Sequence, residues 1–144
     1  MDIQRRLCQS FKLTNELTSV VVVDDDRDTV EVFCEFLKMK GLEVLGRGYT
    51  GDDAVTLYDK LKPDILFCDV MMPKHDGFYA LKKIRSIYPN AKVIMVTADM
   101  TSDTEEKLKK LNASALVYKP YEIENIIETV DKVKSGSQVS FVYN

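Results

Sequence analysis

Nothing in the 144-residue sequence is long and apolar enough to span a bilayer. The opening stretch, MDIQRRLCQSFKLTNEL, has no apolar signal core and no small-residue cleavage site. Export is therefore not expected, and a cytoplasmic location is. Positive charge is not in excess: 20 Lys and Arg against 23 Asp and Glu leave a net charge of -3. Direct binding to nucleic acid or to an anionic membrane has no electrostatic basis in that balance. Cysteine is scarce, and Cys8, Cys34 and Cys68 show neither a disulfide framework nor metal-ligand spacing. Cys34 and Cys68 lie in apolar stretches, as small core residues do. His75 is the only histidine, and beside Lys74 it reads as an exposed loop residue. No Cys/His cluster is present to compete for zinc.

What is present is a globular balance, 45% hydrophobic and 30% charged, in a chain of one-domain size. Short apolar runs recur: VVVV at 20–23, LEVLG at 42–46, DILFCD at 64–69, AKVIMV at 91–96 and SALVY at 114–118. Most are continuous rather than alternating, which predicts strands covered on both faces. Helical stripes lie between them: Val30, Phe33, Cys34 and Leu37; Ala54, Leu57, Tyr58 and Leu61; Phe78, Leu81, Ile84 and Tyr88; Ile123, Ile126, Ile127 and Val130. Gly41 is the expected left-handed stop of the first helix. Thr50 with Asp53, and Asp76, are the expected caps of the second and third helices, whereas Glu122 is a poor cap for the last. The tract EEKLKK at 105–110 reads as a solvated helix face, and Met71 and Met72 as loop packing. The order is β-α repeated five times. The fold class is thus α/β, a five-stranded parallel sheet with helices on both faces.

That topology bears on the run VVVVDDD at 20–26. Ligands of open α/β sheets bind outside the carboxyl ends of the strands. Asp24 and Asp25 end the first expected strand, Asp69 the third, Thr97 the fourth and Lys119 the fifth. Three carboxylates gathered in a partly dry pocket repel one another, and a hard divalent cation such as Mg²⁺, which prefers oxygen ligands, relieves the repulsion. Thr97 and Lys119 beside such a cation suit phosphate oxygens, which makes Asp69 a candidate nucleophile for an aspartyl phosphate. Asp26 is one residue too far along and is expected in solvent at the start of the first helix, where its charge suits the helix dipole.

Four motifs in order, VVVVDDD, PDILFCDVMMPKHDG, VIMVTAD and LVYKP, closely resemble a response-regulator receiver domain of two-component signalling, stand-alone type. The resemblance covers residues 19–134 and implies the doubly wound (βα)5, flavodoxin-like fold. It implies Asp69 as phosphoacceptor, Asp25 as a direct Mg²⁺ ligand, Asp24 as a ligand through water and the Met71 backbone carbonyl as a further ligand. Thr97 is the implied switch hydroxyl and Lys119 the implied phosphate-binding lysine, with a cis peptide before Pro120. Ala98 is small and leaves the donor room to approach. A sensor histidine kinase or phosphotransfer protein is the implied donor, and an unidentified protein the target. Dimerisation on phosphorylation is a further family possibility. The implied activity is not that of an enzyme beyond the domain's own phosphorylation and dephosphorylation.

Two other readings are open on the residues. Asp24 and Asp26 also resemble the pair of a haloacid-dehalogenase-type phosphatase, although Asp28 departs from that motif. A receiver-like interaction module that never becomes phosphorylated is the second. Leu116 departs from the family's common aromatic switch position, and alternation directs Tyr118 to the same face as Leu116. Residues 1–18, with Ile3, Leu7 and Phe11 at helical spacing, form either an extra helix on the domain or a partner-binding segment. Residues 135–144 form either a tail or a strand on a sheet edge.

Overall fold

The computed structural model describes residues 17–136. Cys8, the helical spacing at Ile3, Leu7 and Phe11, and the end of the expected tail lie outside the described residues. Strands and helices alternate in the order β1 (Ser19–Val23), α1 (Arg27–Met39), β2 (Glu43–Gly48), α2 (Gly51–Leu61), β3 (Ile65–Asp69), α3 (Gly77–Ile87), β4 (Val93–Thr97), α4 (Ser102–Lys110), β5 (Ala115–Tyr118) and α5 (Ile123–Ser135). The strands form one parallel sheet in the order β2-β1-β3-β4-β5.

The continuous apolar runs follow from burial on both faces. Along β1, Val21 and Val23 enter one core with Leu66 and Cys68 of β3, Val93 and Met95 of β4, and Leu116 and Tyr118 of β5. Ala54, Leu81 and Leu108 cover that face from α2, α3 and α4. Val20 and Val22 enter the other core with Phe67, Ile94 and Val117. Phe33, Leu37, Ile126 and Val130 cover it from α1 and α5, and Phe33 meets Phe67 edge-on at 5.1 Å. Cys34 and Cys68 are buried, as their apolar neighbourhoods require.

Strand β2 departs from expectation. It begins at Glu43 and extends to Gly48, because Arg47 and Gly48 pair with Val22 and Val23. Leu42 is buried but belongs to the preceding turn, where Leu42 N–H bonds the Leu37 carbonyl at 3.0 Å. β2, at one edge of the sheet, is only partly buried, unlike β3, β4 and the other edge strand β5.

The caps form as the residue types demand. Asp26 accepts from the Asp28 N–H and the Thr29 hydroxyl at the start of α1. Thr50 accepts from the Asp53 N–H at 3.0 Å, and Asp53 accepts in return from the Tyr49 N–H at 2.8 Å. Asp76 caps α3 and Thr101 caps α4, while Glu122 makes no side-chain cap. Gly41 has φ +90° just beyond α1.

Close approach of α3 to the end of β3 needs a glycine. A Cβ on Gly77 would collide with the Asp69 carbonyl oxygen and lie 2.7 Å from Val70 Cα and 2.8 Å from Met95 Cε. Gly77→Ala is therefore expected to destabilise the protein by about 1–3 kcal/mol through overpacking. Urea unfolding checks this; an unchanged midpoint would show that the β3–α3 loop yields freely.

Candidate functional site

The sheet order reverses between β1 and β3, and their carboxyl ends lie side by side because Val23 pairs with Cys68. Asp69 is the last residue of β3 and Thr97 the last of β4. Asp24, Asp25 and Lys119 lie just beyond the ends of β1 and β5 rather than within them, a shift of one or two residues from expectation. The Lys119 N–H donates to the Thr97 carbonyl at 2.8 Å, so β5 delivers the lysine beside the threonine. Carboxylate oxygens of Asp24, Asp25 and Asp69 come within 4.8 Å of one another. Asp24 and Asp69 are buried and Asp25 is exposed.

Lys119 is the counterweight to this cluster. Its Nζ donates to Asp24 Oδ2 at 2.7 Å and lies 3.6 Å from Asp69 Oδ2, closer to the first acid than to the second. Asp24 Oδ1 also accepts from the Asp26 N–H at 2.9 Å. The main chain at Met71 works to lower the Asp69 carboxyl, while the Met71 side chain faces solvent and Met72 packs inward. One ammonium among three carboxylates leaves the balance negative. Burial, and then the charge of Asp24, push the Asp69 carboxyl up to about 6 against the opposing pull of Lys119. Burial and Asp24 raise Asp25 as well. Burial works against the Lys119 ammonium, but its hydrogen bond to Asp24 and the charges of Asp69 and Asp24 outweigh that, and its pKa is raised.

Oxygen donors converging in a negative, partly buried pocket fit a hard divalent cation such as Mg²⁺. Asp24, Asp25 and Asp69 are the residues that would hold it. Thr97 is fully buried, and its hydroxyl accepts from the Asp99 N–H at 3.0 Å. Ala98 is exposed between them. Lys119–Pro120 is cis, and Leu116 and Tyr118 share one core face. Asp26 is occupied as the cap of α1.

The chain has known relatives over most of its length. The model of the response regulator receiver domain family matches residues 20–131. The chain belongs to this family. The receiver domain is 34% identical over 117 residues to Protein CcdB of Bacillus subtilis, covering 81% of this chain and 98% of that one. It is 33% identical to the chemotaxis protein CheY of Thermotoga maritima, covering 79% and 95%. Among solved structures, CheY in a CheX-CheY-BeF3-Mg complex from Borrelia burgdorferi superposes with a TM-score of 0.79 at 26% identity, covering 84% and 92%. The receiver domain of this chain thus joins two-component signalling, with an acidic pocket where the family places its metal.

Tyr121 is not foreshadowed by the sequence, and neither are the contacts made by His75. Tyr121 packs on Phe33 with ring centroids 5.1 Å apart, and burial with the charges of Asp24 and Asp69 pushes its phenol up to about 12. Its place two residues after Lys119 is the only signal the sequence offers. His75 is exposed as expected, yet its Nδ1 lies 2.7 Å from Asp52 Oδ2 and its ring stacks on Tyr79. Asp52 lies 23 residues away in sequence, so its contact with His75 gives no warning there.

Because Asp69 titrates at about 6 in the fold against an ordinary value of 3.8, the folded state binds more protons between those values. Stability of the metal-free protein therefore falls as pH rises from about 4 to about 6 and stays low above. Asp69→Asn is expected to be the more stable protein in chelator at about pH 8, by on the order of 2 kcal/mol, with the gap narrowing toward about pH 4. Melting curves across pH check this; a gap independent of pH would trace it to packing instead.

Proposed function

We propose that the protein is a phosphorylation-dependent switch that accepts a phosphoryl group on Asp69 from a histidine kinase or phosphotransfer protein. The observation that carries this reading is the meeting of Asp24, Asp25 and Asp69 with Lys119 between them and Thr97 at the next strand end. An Asp69 carboxylate oxygen attacks phosphorus in line as the P–N bond of a phosphohistidine breaks, and the electron pair of that bond leaves with the imidazole. Mg²⁺, held by Asp24, Asp25, Asp69 and the Met71 carbonyl, would supply charge neutralisation of the transferring group. Lys119 already lies between Asp24 and Asp69, and a phosphoryl oxygen on Asp69 offers its ammonium a stronger partner than the distant carboxylate.

Thr97 contributes a hydroxyl that already accepts from the Asp99 N–H, which leaves its own proton to donate to a phosphoryl oxygen. That attraction draws the loop after β4 inward. The face of α4, β5 and α5 would then change, and a protein target would read it. The family's CheY in its complex with CheX supports a protein partner, as that complex is described for the Borrelia protein. A cytoplasmic setting agrees with the supply of such donors, and no helix among the described residues is long and apolar enough to cross a membrane. Nucleic-acid contact is not required by any part of the site.

Incubation with a small phosphodonor and Mg²⁺ is expected to add one phosphoryl group, mapped by mass spectrometry to Asp69. Chelator and Asp69→Asn should each abolish it. Label on Asp24 would instead support the phosphatase reading, and failure of every donor to label any residue would support the unphosphorylated module.

Thr97→Ala is expected to accept the phosphoryl group yet lose most of the chemical-shift change in residues 98–120. Wild-type shifts in the labelled variant would show that the coupling bypasses the hydroxyl.

A further inference from the structure

Helix α4 is held to the domain more lightly than any other helix. Only Thr104 and Leu108 are buried on it, against three or four residues on each of the rest. Its first turn carries Asp103 and Glu105, and its last turn Lys107, Lys109 and Lys110. Lys107 also ties the helix to α3: its ammonium lies 4.1 Å from the Phe78 ring centroid.

Asp99 does reach both ways. Its backbone N–H donates to the Thr97 hydroxyl at 3.0 Å. Its Oδ1 accepts from the Thr101 N–H at 3.0 Å, and its Oδ2 accepts from the Thr104 hydroxyl at 2.7 Å. Thr101 is the N-cap of α4, and its hydroxyl accepts from the Thr104 N–H. Thus one residue bonds the expected switch hydroxyl through its main chain and the capped first turn of α4 through both oxygens of its side chain. The hydrogen bonds from Thr104 and Thr101 hold the Asp99 carboxyl below its ordinary range, so it is ionised and both bonds are charge-assisted near neutral pH.

We propose that Asp99 is the positioning residue that transmits displacement of Thr97 to α4, acting as a link between the phosphoryl pocket and one of the two buried residues that seat the helix. The proposal rests on the reading of Asp69 as phosphoacceptor and names the route by which that site reaches its output helix. A short chain of three hydrogen bonds carries it. If the Thr97 hydroxyl turns toward a phosphoryl oxygen, the Asp99 N–H must follow it or lose its acceptor. Following it moves the carboxylate, and the carboxylate moves Thr101 and Thr104. Because Thr104 and Leu108 alone are buried, shifting Thr104 tilts the helix against little resistance.

The test uses the full chain, treated with phosphodonor and Mg²⁺, with occupancy of Asp69 read by intact mass and displacement read from amide shifts of residues 101–111. Asp99→Ala is expected to reach wild-type occupancy and lose most of the shift in α4. Thr104→Val keeps the side-chain shape and removes only the hydroxyl; it should lose the α4 shift while the amides of Ala98 and Asp99 still respond. Thr104→Ser should restore the α4 shift, which a purely structural role for the methyl group would not produce. Wild-type α4 shifts in labelled Asp99→Ala or Thr104→Val would overturn the proposal while leaving the phosphoacceptor reading intact. Absence of label on Asp69 in the wild-type chain would overturn that reading and the proposal with it.

Discussion

Mutual repulsion of three carboxylates, offset by one ammonium, is the constraint around which the molecule is arranged. Asp24 and Asp69 are almost wholly buried and Asp25 stands beside them in solvent. Such a cluster is unfavourable in any fold that does not use it. It persists because the surrounding structure leaves these side chains no alternative. Two strands buried on both faces set the two buried acids side by side, Asp26 and its N–H hold Asp24 from one direction, and Lys119 holds it from another. Burial first, and then the charge of Asp24, hold the Asp69 carboxyl above its ordinary range despite Lys119.

From this follows a division of labour within the fold. The sheet and the helices α1, α2, α3 and α5 are seated by three or four buried residues each and form the rigid frame. Helix α4 is seated by two, and one of these is hydrogen-bonded to the loop that bears Thr97. In the proposed reading, a phosphoryl group on Asp69 would be expressed at α4, which has the fewest buried residues, rather than in the sheet. The interior is close-packed, so a displaced helix has a place to go only along its exposed side.

The place commonly held by an aromatic ring in the resembling family is Leu116 here, fully buried. Tyr118 shares its core with Leu116 and Leu108, and is buried as well. The β5 contribution to any shift is thus aliphatic at one position and aromatic two residues later on the same face. This shifts weight onto the loop between Thr97 and Thr101, where the hydrogen bonds of Asp99 are concentrated.

Much of this was legible in the chain itself, because burial on two faces writes continuous apolar runs and burial on one face of a helix writes a repeat near 3.6 residues. The five strands, the five helices, the caps at Thr50 and Asp76 and the stop at Gly41 are local consequences of residue type. So is the convergence of Asp24, Asp25, Asp69, Thr97 and Lys119, once β-α alternation implies a parallel sheet with all carboxyl ends on one edge. The extent of β2 was not legible, since Arg47 and Gly48 join it only by pairing with Val22 and Val23. Nor were the closer pairing of Lys119 with Asp24, the approach of Tyr121 to the acids, or the double grip of Asp99. Those depend on distances between side chains that meet only after folding. Local chemistry and periodicity determined which residues face the site; the packing of loops against strand ends decided which of them touch.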